Sequence, residues 1–122
     1  MINIKIPKEA EVIENYNTYG AGMHGDGEFY AVFDLSSKEV NELTKRIEVS
    51  KEWNALPLTS EQKQLASTYL KKSNFSGIKN GYYLFIDNSN EDSPLLERYS
   101  YNVIFAILDL EQNLLYVLQY DS

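Results

Sequence analysis

The chain has 122 residues, no cysteine and a formal charge of −7, with 11 Lys and Arg against 18 Asp and Glu. A thiolate nucleophile, a Cys-based zinc site, an iron–sulfur cluster and a disulfide framework are thereby excluded, and the length suits one domain, residues 1–122, able to bury a core without covalent staples. Met1-Ile2-Asn3-Ile4-Lys5-Ile6-Pro7 lacks the basic-then-apolar layout of a signal peptide, and the longest apolar run, Val103 to Leu108, is far too short for a bilayer, so the expectation is a cytoplasmic protein with no membrane partner.

Ile2-Asn3-Ile4-Lys5-Ile6 alternates apolar and polar as a half-buried strand does, and Pro7 ends it. Glu11 to Tyr16 reads as a second strand, with one helical turn as the competing reading. Glu28 to Leu35 places Phe29, Ala31, Phe33 and Leu35 on one side at period two, in residue types that suit a pleated surface. Ser36-Ser37-Lys38-Glu39 then offers a capping box ahead of Val40, Leu43 and Ile47 at helical spacing, which predicts a helix over about 37–48. Trp53, Leu56 and Leu58 read as an apolar plug in the connection to a second helix. That helix starts near Thr59 or Ser60, carries Leu65, Ala66, Tyr69 and Leu70 as its stripe, and places Lys71-Lys72 at its negative dipole end. Asn80-Gly81 marks a turn.

From there the period changes to two. Strands are predicted over 82–87, 100–110 and 114–120, with a surface loop over 88–94 and a tight hairpin at Glu111-Gln112-Asn113 joining the last two antiparallel. The unbroken Val103 to Leu108 run implies a central strand covered on both faces. The order β-β-β-α-α-β-β-β, with strands grouped rather than alternating with helices, predicts an α+β fold: an antiparallel sheet of five to six strands with two helices packed on one face.

Charge follows this order. Residues 9–37 hold Glu9, Glu11, Glu14, Asp26, Glu28 and Asp34 and no Lys or Arg, and residues 80–122 hold seven acids against Arg98 alone. The middle, 38–79, carries eight bases against five acids. With helices on one face, this would place opposite potentials on opposite sides, repelling nucleic acid from the acidic side and steering a basic protein partner toward it. Plain solvation of exposed faces accounts for the same charges.

Four of the six glycines and the only histidine fall within Gly20-Ala21-Gly22-Met23-His24-Gly25-Asp26-Gly27-Glu28. On extended chain His24, Asp26 and Glu28 share one side, enough for a general acid/base pair or a hard-cation site. Asp26-Gly27 is equally a common hairpin turn, chosen for positive φ rather than reactivity. One His and no Cys make zinc a poor fit. A phosphate cradle would open a helix and carry a Lys, whereas this stretch opens a strand among acids. Among ten tyrosines, Tyr30, Tyr83, Tyr101 and Tyr116 could form a ladder on one sheet face, either as cross-strand packing or as amphipathic contact area for a partner. No serine sits in a Gly-x-Ser-x-Gly elbow, and no catalytic triad, metal ligand set or cofactor is expected.

Gly22-Met23-His24-Gly25-Asp26-Gly27-Glu28, Trp53-Asn54-Ala55-Leu56-Pro57-Leu58, Asn80-Gly81-Tyr82-Tyr83-Leu84-Phe85 and the Asp109 to Asp121 hairpin give the chain a recognisable layout. It resembles small uncharacterised single-domain proteins of Gram-positive bacteria that share an HGDGE … WxxLPL … NGYYxF pattern, departing from it at Ala21 and Met23, where Gly and an aromatic are usual. The resemblance implies a bacterial origin and a shared design, and carries over no catalytic role.

Two functions of different class remain. One is a non-enzymatic binding protein of immunity or inhibitor type, meeting a basic partner through His24, Asp26, Glu28, Tyr30, Tyr83 and Tyr101. The other is a small hydrolase or metal-dependent enzyme using His24, Asp26 and Glu28. A third reading makes the glycine stretch the binding edge of a small-ligand sensor. Convergence of Asp26 and Glu28 with a distant carboxylate such as Asp87 or Asp109 separates the enzyme from the rest.

Overall fold

The structure is a computed structural model that describes residues 11–17, 27–89, 93–97 and 101–121. The strand expected over 2–6 lies outside them. β1 (Glu11–Asn17) pairs antiparallel with β2 (Gly27–Asp34), with a bulge between Val12 and Glu14. α1 (Ser37–Val49) begins at the expected capping box: the Ser36 hydroxyl accepts from the Glu39 amide at 3.2 Å, and the Glu39 carboxylate accepts from the Ser36 amide at 2.9 Å. Such a cap is worth about 1 kcal/mol. β3 (Trp53–Ala55) follows, then a cis Leu56–Pro57 bond. α2 (Ser60–Gln64) opens on a second capping box from Thr59 and Gln62 and widens into a π-helical turn, Leu65–Tyr69. A 3-10 turn, Ser73–Gly77, leads to β4 (Gly81–Asp87), and β5 (Asn102–Asp109) and β6 (Leu114–Asp121) close the chain.

All strand pairs are antiparallel, in the order β1-β2-β6-β5-β4-β3. The α+β class and the antiparallel sheet are as expected, and β5 and β6 lie at its centre. Each residue from Val103 to Leu108 is at most 1% exposed, so the central strands are covered on both sides, as their unbroken apolar run requires.

The placement of both helices on one face is corrected. Alternation along β6 sends Leu115 and Val117 to one side, where α1 covers them with Val40, Leu43 and Ile47. Tyr116 and Leu118 point to the other, where Leu65, Ala66, Leu70 and Phe75 cover them together with Tyr30, Val32, Phe105 and Ile107. The crossing between faces is β3. Trp53 packs with the α1 cluster, whereas Leu56 and Leu58 are buried in the opposite one, so this segment wraps the sheet edge and is more than a plug. Its three residues are too few for a period-two signal. The face-to-face charge separation fails with it, because the basic middle of the chain is divided between two layers.

The β4 end is tightly built. Gly81 has φ +144, its carbonyl accepts from the Leu56 amide at 3.0 Å, and a Cβ there would run into the Leu108 carbonyl oxygen. The expected turn at Asn80-Gly81 is thus also the first pair of the β4–β5 ladder. Gly77 has nothing within 4 Å of such a Cβ. Gly81→Ala is expected to cost on the order of 2–4 kcal/mol and Gly77→Ala to stay within about 0.5 kcal/mol, as measured by denaturant unfolding.

Candidate functional site

Glu28 and Tyr30 are two residues apart on β2 and therefore project to one face, the one covered by α2 and the turns after it. The chain reaches that face through an unusual closure. The Leu70 amide donates to the Leu65 carbonyl at 3.1 Å and the Lys72 amide to the Ala66 carbonyl at 2.7 Å, while Lys71 between them takes φ 58. This left-handed residue, normally glycine, ends the helix as an αL cap whose closing bond spans one residue more than a Schellman motif's, because the turn before it is π-helical, and it directs Lys72 back toward β2.

Lys72 Nζ lies 4.0 Å from Glu28 Oε2 and 4.7 Å from the centre of the Tyr30 ring. The two charged side chains retain 12% and 18% of their exposure, so the pair is only partly screened by solvent. Below it, Tyr30 packs on Phe75 with ring centres 6.5 Å apart, and Phe75 meets Tyr116 at 5.6 Å and Phe105 at 6.0 Å. The ammonium thus seals the outer end of an aromatic core, attracted by both the carboxylate and the ring face.

The remaining candidates separate. Tyr83 and Tyr101 belong to the same buried cluster, 7% and 6% exposed, and Tyr30 is 3% exposed. The expected tyrosine face is therefore core beneath the second layer, centred on Phe75 rather than arranged as a ladder. Tyr101 instead meets Tyr69 at 5.6 Å. His24 and Asp26 lie outside the described residues. Phe75 carries no expectation from the sequence, and Lys72 only that of a partner to the helix dipole. A lone aromatic between Ser73-Asn74 and Ser76-Gly77 was the available signal, since an aromatic flanked by turn residues still has a large apolar area to bury.

Neither distant carboxylate converges on Glu28. Asp109 pairs with Leu114 and Glu28 with Tyr120, which puts them at opposite ends of the strands, about 20 Å apart at ~3.3 Å per residue. Asp109 is 3% exposed and its Oδ1 accepts from the Glu111 amide at 2.9 Å and the Gln112 amide at 3.3 Å, which shapes the β5–β6 turn. Asp87 shares Glu28's row through Val103 and Tyr120, but three strand spacings, ~14 Å, separate them. Among the described residues no group of three or more His, Cys, Asp or Glu could hold a metal ion, and no helix is long and apolar enough to cross a membrane. No family model matches the chain, and no curated protein or solved structure matches it either.

A double-mutant cycle of Glu28→Gln and Lys72→Met is expected to give a coupling of about 1 kcal/mol at low salt, because the pair is mostly buried yet at the limit of ion-pair distance. Tyr30→Leu should reduce the Lys72 contribution without abolishing it, leaving the ion pair but not the ring. Unfolding titrations of the variants at two salt concentrations measure both.

Proposed function

We propose that this chain is a non-enzymatic binding protein, of immunity or inhibitor type, that engages a basic protein partner electrostatically. The observation that carries the reading is the engagement of Glu28 among the described residues: it is paired with Lys72 and lies too far from Asp87 and Asp109 to share a substrate or a cation with either. A hydrolase or metal-dependent site on Glu28 would need a second group on the same few ångströms of surface.

Both faces of the central strands are covered, so recognition falls to the periphery, where exposed acids gather at the β1–β2 end. Glu11, Asp34, Asp87, Glu97 and Glu111 are exposed. Glu11 pairs directly with Asp34 across β1 and β2, and among the described residues neither has an ion-pair partner. Like charges placed opposite each other are destabilising, and a cationic partner relieves that repulsion. The glycine stretch carrying His24 and Asp26 joins Asn17 to Gly27 at the Glu28 end of the same two strands.

A partner captured from the native host and identified should be basic, and its association should slow steeply as salt rises toward about 0.1 M, where the Debye length falls to roughly 10 Å. Glu11→Lys with Asp34→Lys should lower the on-rate at least several-fold while leaving the melting temperature unchanged, and His24→Ala should weaken binding with the fold intact. An acidic partner, or an on-rate indifferent to salt, contradicts the reading.

A further inference from the structure

The two edges of the sheet are managed differently. At one, β3 is three residues long and followed at once by Leu56-Pro57, the short, proline-terminated edge that protects a sheet from unwanted pairing. At the other, β1 runs for seven residues with no Lys and no Pro, and has only β2 as a neighbour among the described residues. Its one irregularity is the bulge at Ile13, which leaves that residue without a partner on β2. Val12 and Ile13 are 44% and 53% exposed, large β-branched side chains on a strand that ends the ladder of the described residues. From the bulge to Asn17 the pairing is regular again, so the outer edge there offers a straight row of backbone donors and acceptors.

From these features the geometry points to β1 as a docking edge for an extended, lysine- or arginine-bearing segment of a protein partner, added to the sheet as a seventh strand. The inference rests on the basic-partner reading above and deepens it by naming where and how the partner sits. Charge selects this occupant over the alternatives. Residues 9–37 contain no Lys or Arg, and the exposed Glu11–Asp34 pair sits at the start of the edge, where a cation on an incoming strand lies beside two carboxylates. A second copy of β1 in the same position would bring further acids and no Lys or Arg to the same edge and add repulsion. Main-chain hydrogen bonds supply affinity in this mode and the alternating side chains supply selectivity: apolar residues against Val12 and Ile13, basic ones against the acids.

The test uses the full chain and a ten-residue peptide alternating Lys and Val, a Glu/Val peptide of equal length, and an N-methylated Lys/Val peptide that keeps the charge and loses the amide donors. Binding is followed by fluorescence anisotropy at low salt, and the footprint by amide hydrogen exchange. The Lys/Val peptide is expected to bind and to slow exchange within residues 11–17, the Glu/Val peptide to fail, and N-methylation to weaken binding by at least about tenfold through the lost ladder bonds. Binding without protection of 11–17 overturns the edge and leaves the basic-partner reading standing. No binding of the Lys/Val peptide overturns both. Protection of 11–17 in the free chain that grows with concentration assigns the edge to a second copy, and protection that disappears when residues 1–8 are removed assigns it to the chain's own Ile2–Ile6 segment; either result overturns the proposal.

Discussion

Two-sided burial of the β5–β6 hairpin is the constraint on which the rest of the molecule depends. Side chains alternate along a strand, so six consecutive apolar residues from Val103 to Leu108 leave apolar area on both sides of the sheet. Water contact at about 25 cal/mol per Å² on either side would be unaffordable for a chain this size. Two covers are therefore required, and the sequence supplies them in different forms. On one side a regular, doubly capped α1 presents Val40, Leu43 and Ile47. On the other, a short helix, a π-helical turn and a 3-10 turn combine to present Leu65, Ala66, Leu70 and Phe75.

That second cover is where structure and proposed recognition meet. A widened turn and a left-handed Lys71 are unfavourable in isolation, and they end the helix so that Lys72 comes to rest over Tyr30 and beside Glu28. Glu28 stands one residue after Gly27, where the glycine-rich stretch enters β2. Gly27 thus leads directly into a foundation of aromatic core, cation and carboxylate. With the central faces covered and Glu28 engaged, what the described residues leave unsatisfied is peripheral: the exposed Glu11–Asp34 pair and the outer edge of β1.

Much of this fold was legible in the residues. The Ser36/Glu39 capping box, the alternation of β2, the β5–β6 hairpin and the two-sided run at its centre each carry a local physical signal, and each is found where that signal placed it. What could not be read was long-range. Trp53-Asn54-Ala55 is too short to announce a strand, and without β3 there is no route by which successive helices reach opposite faces. Yet the Val103 to Leu108 run already demanded cover on both sides, so helices grouped on one face conflicted with a signal in hand. At the site, strand alternation put Glu28 and Tyr30 on a common face, but the fate of the tyrosines depended on Phe75, whose burial has a local signal but whose partners follow only from tertiary packing. Lys72 looked like a dipole partner because helical periodicity gives no hint of a π-turn that redirects the chain.

The central claim is that opposite covers on one sheet leave only its rim for recognition, and methyl–methyl nuclear Overhauser contacts test it most directly. The account predicts contacts from Leu43 and Ile47 to Leu115 and Val117, and from Leu65 and Leu70 to the Leu118 side of the sheet, with none between Leu65 or Leu70 and Val117. Contacts from both helical segments to Leu115 and Val117 would place both covers on one face, expose the tyrosine-bearing side and contradict the account.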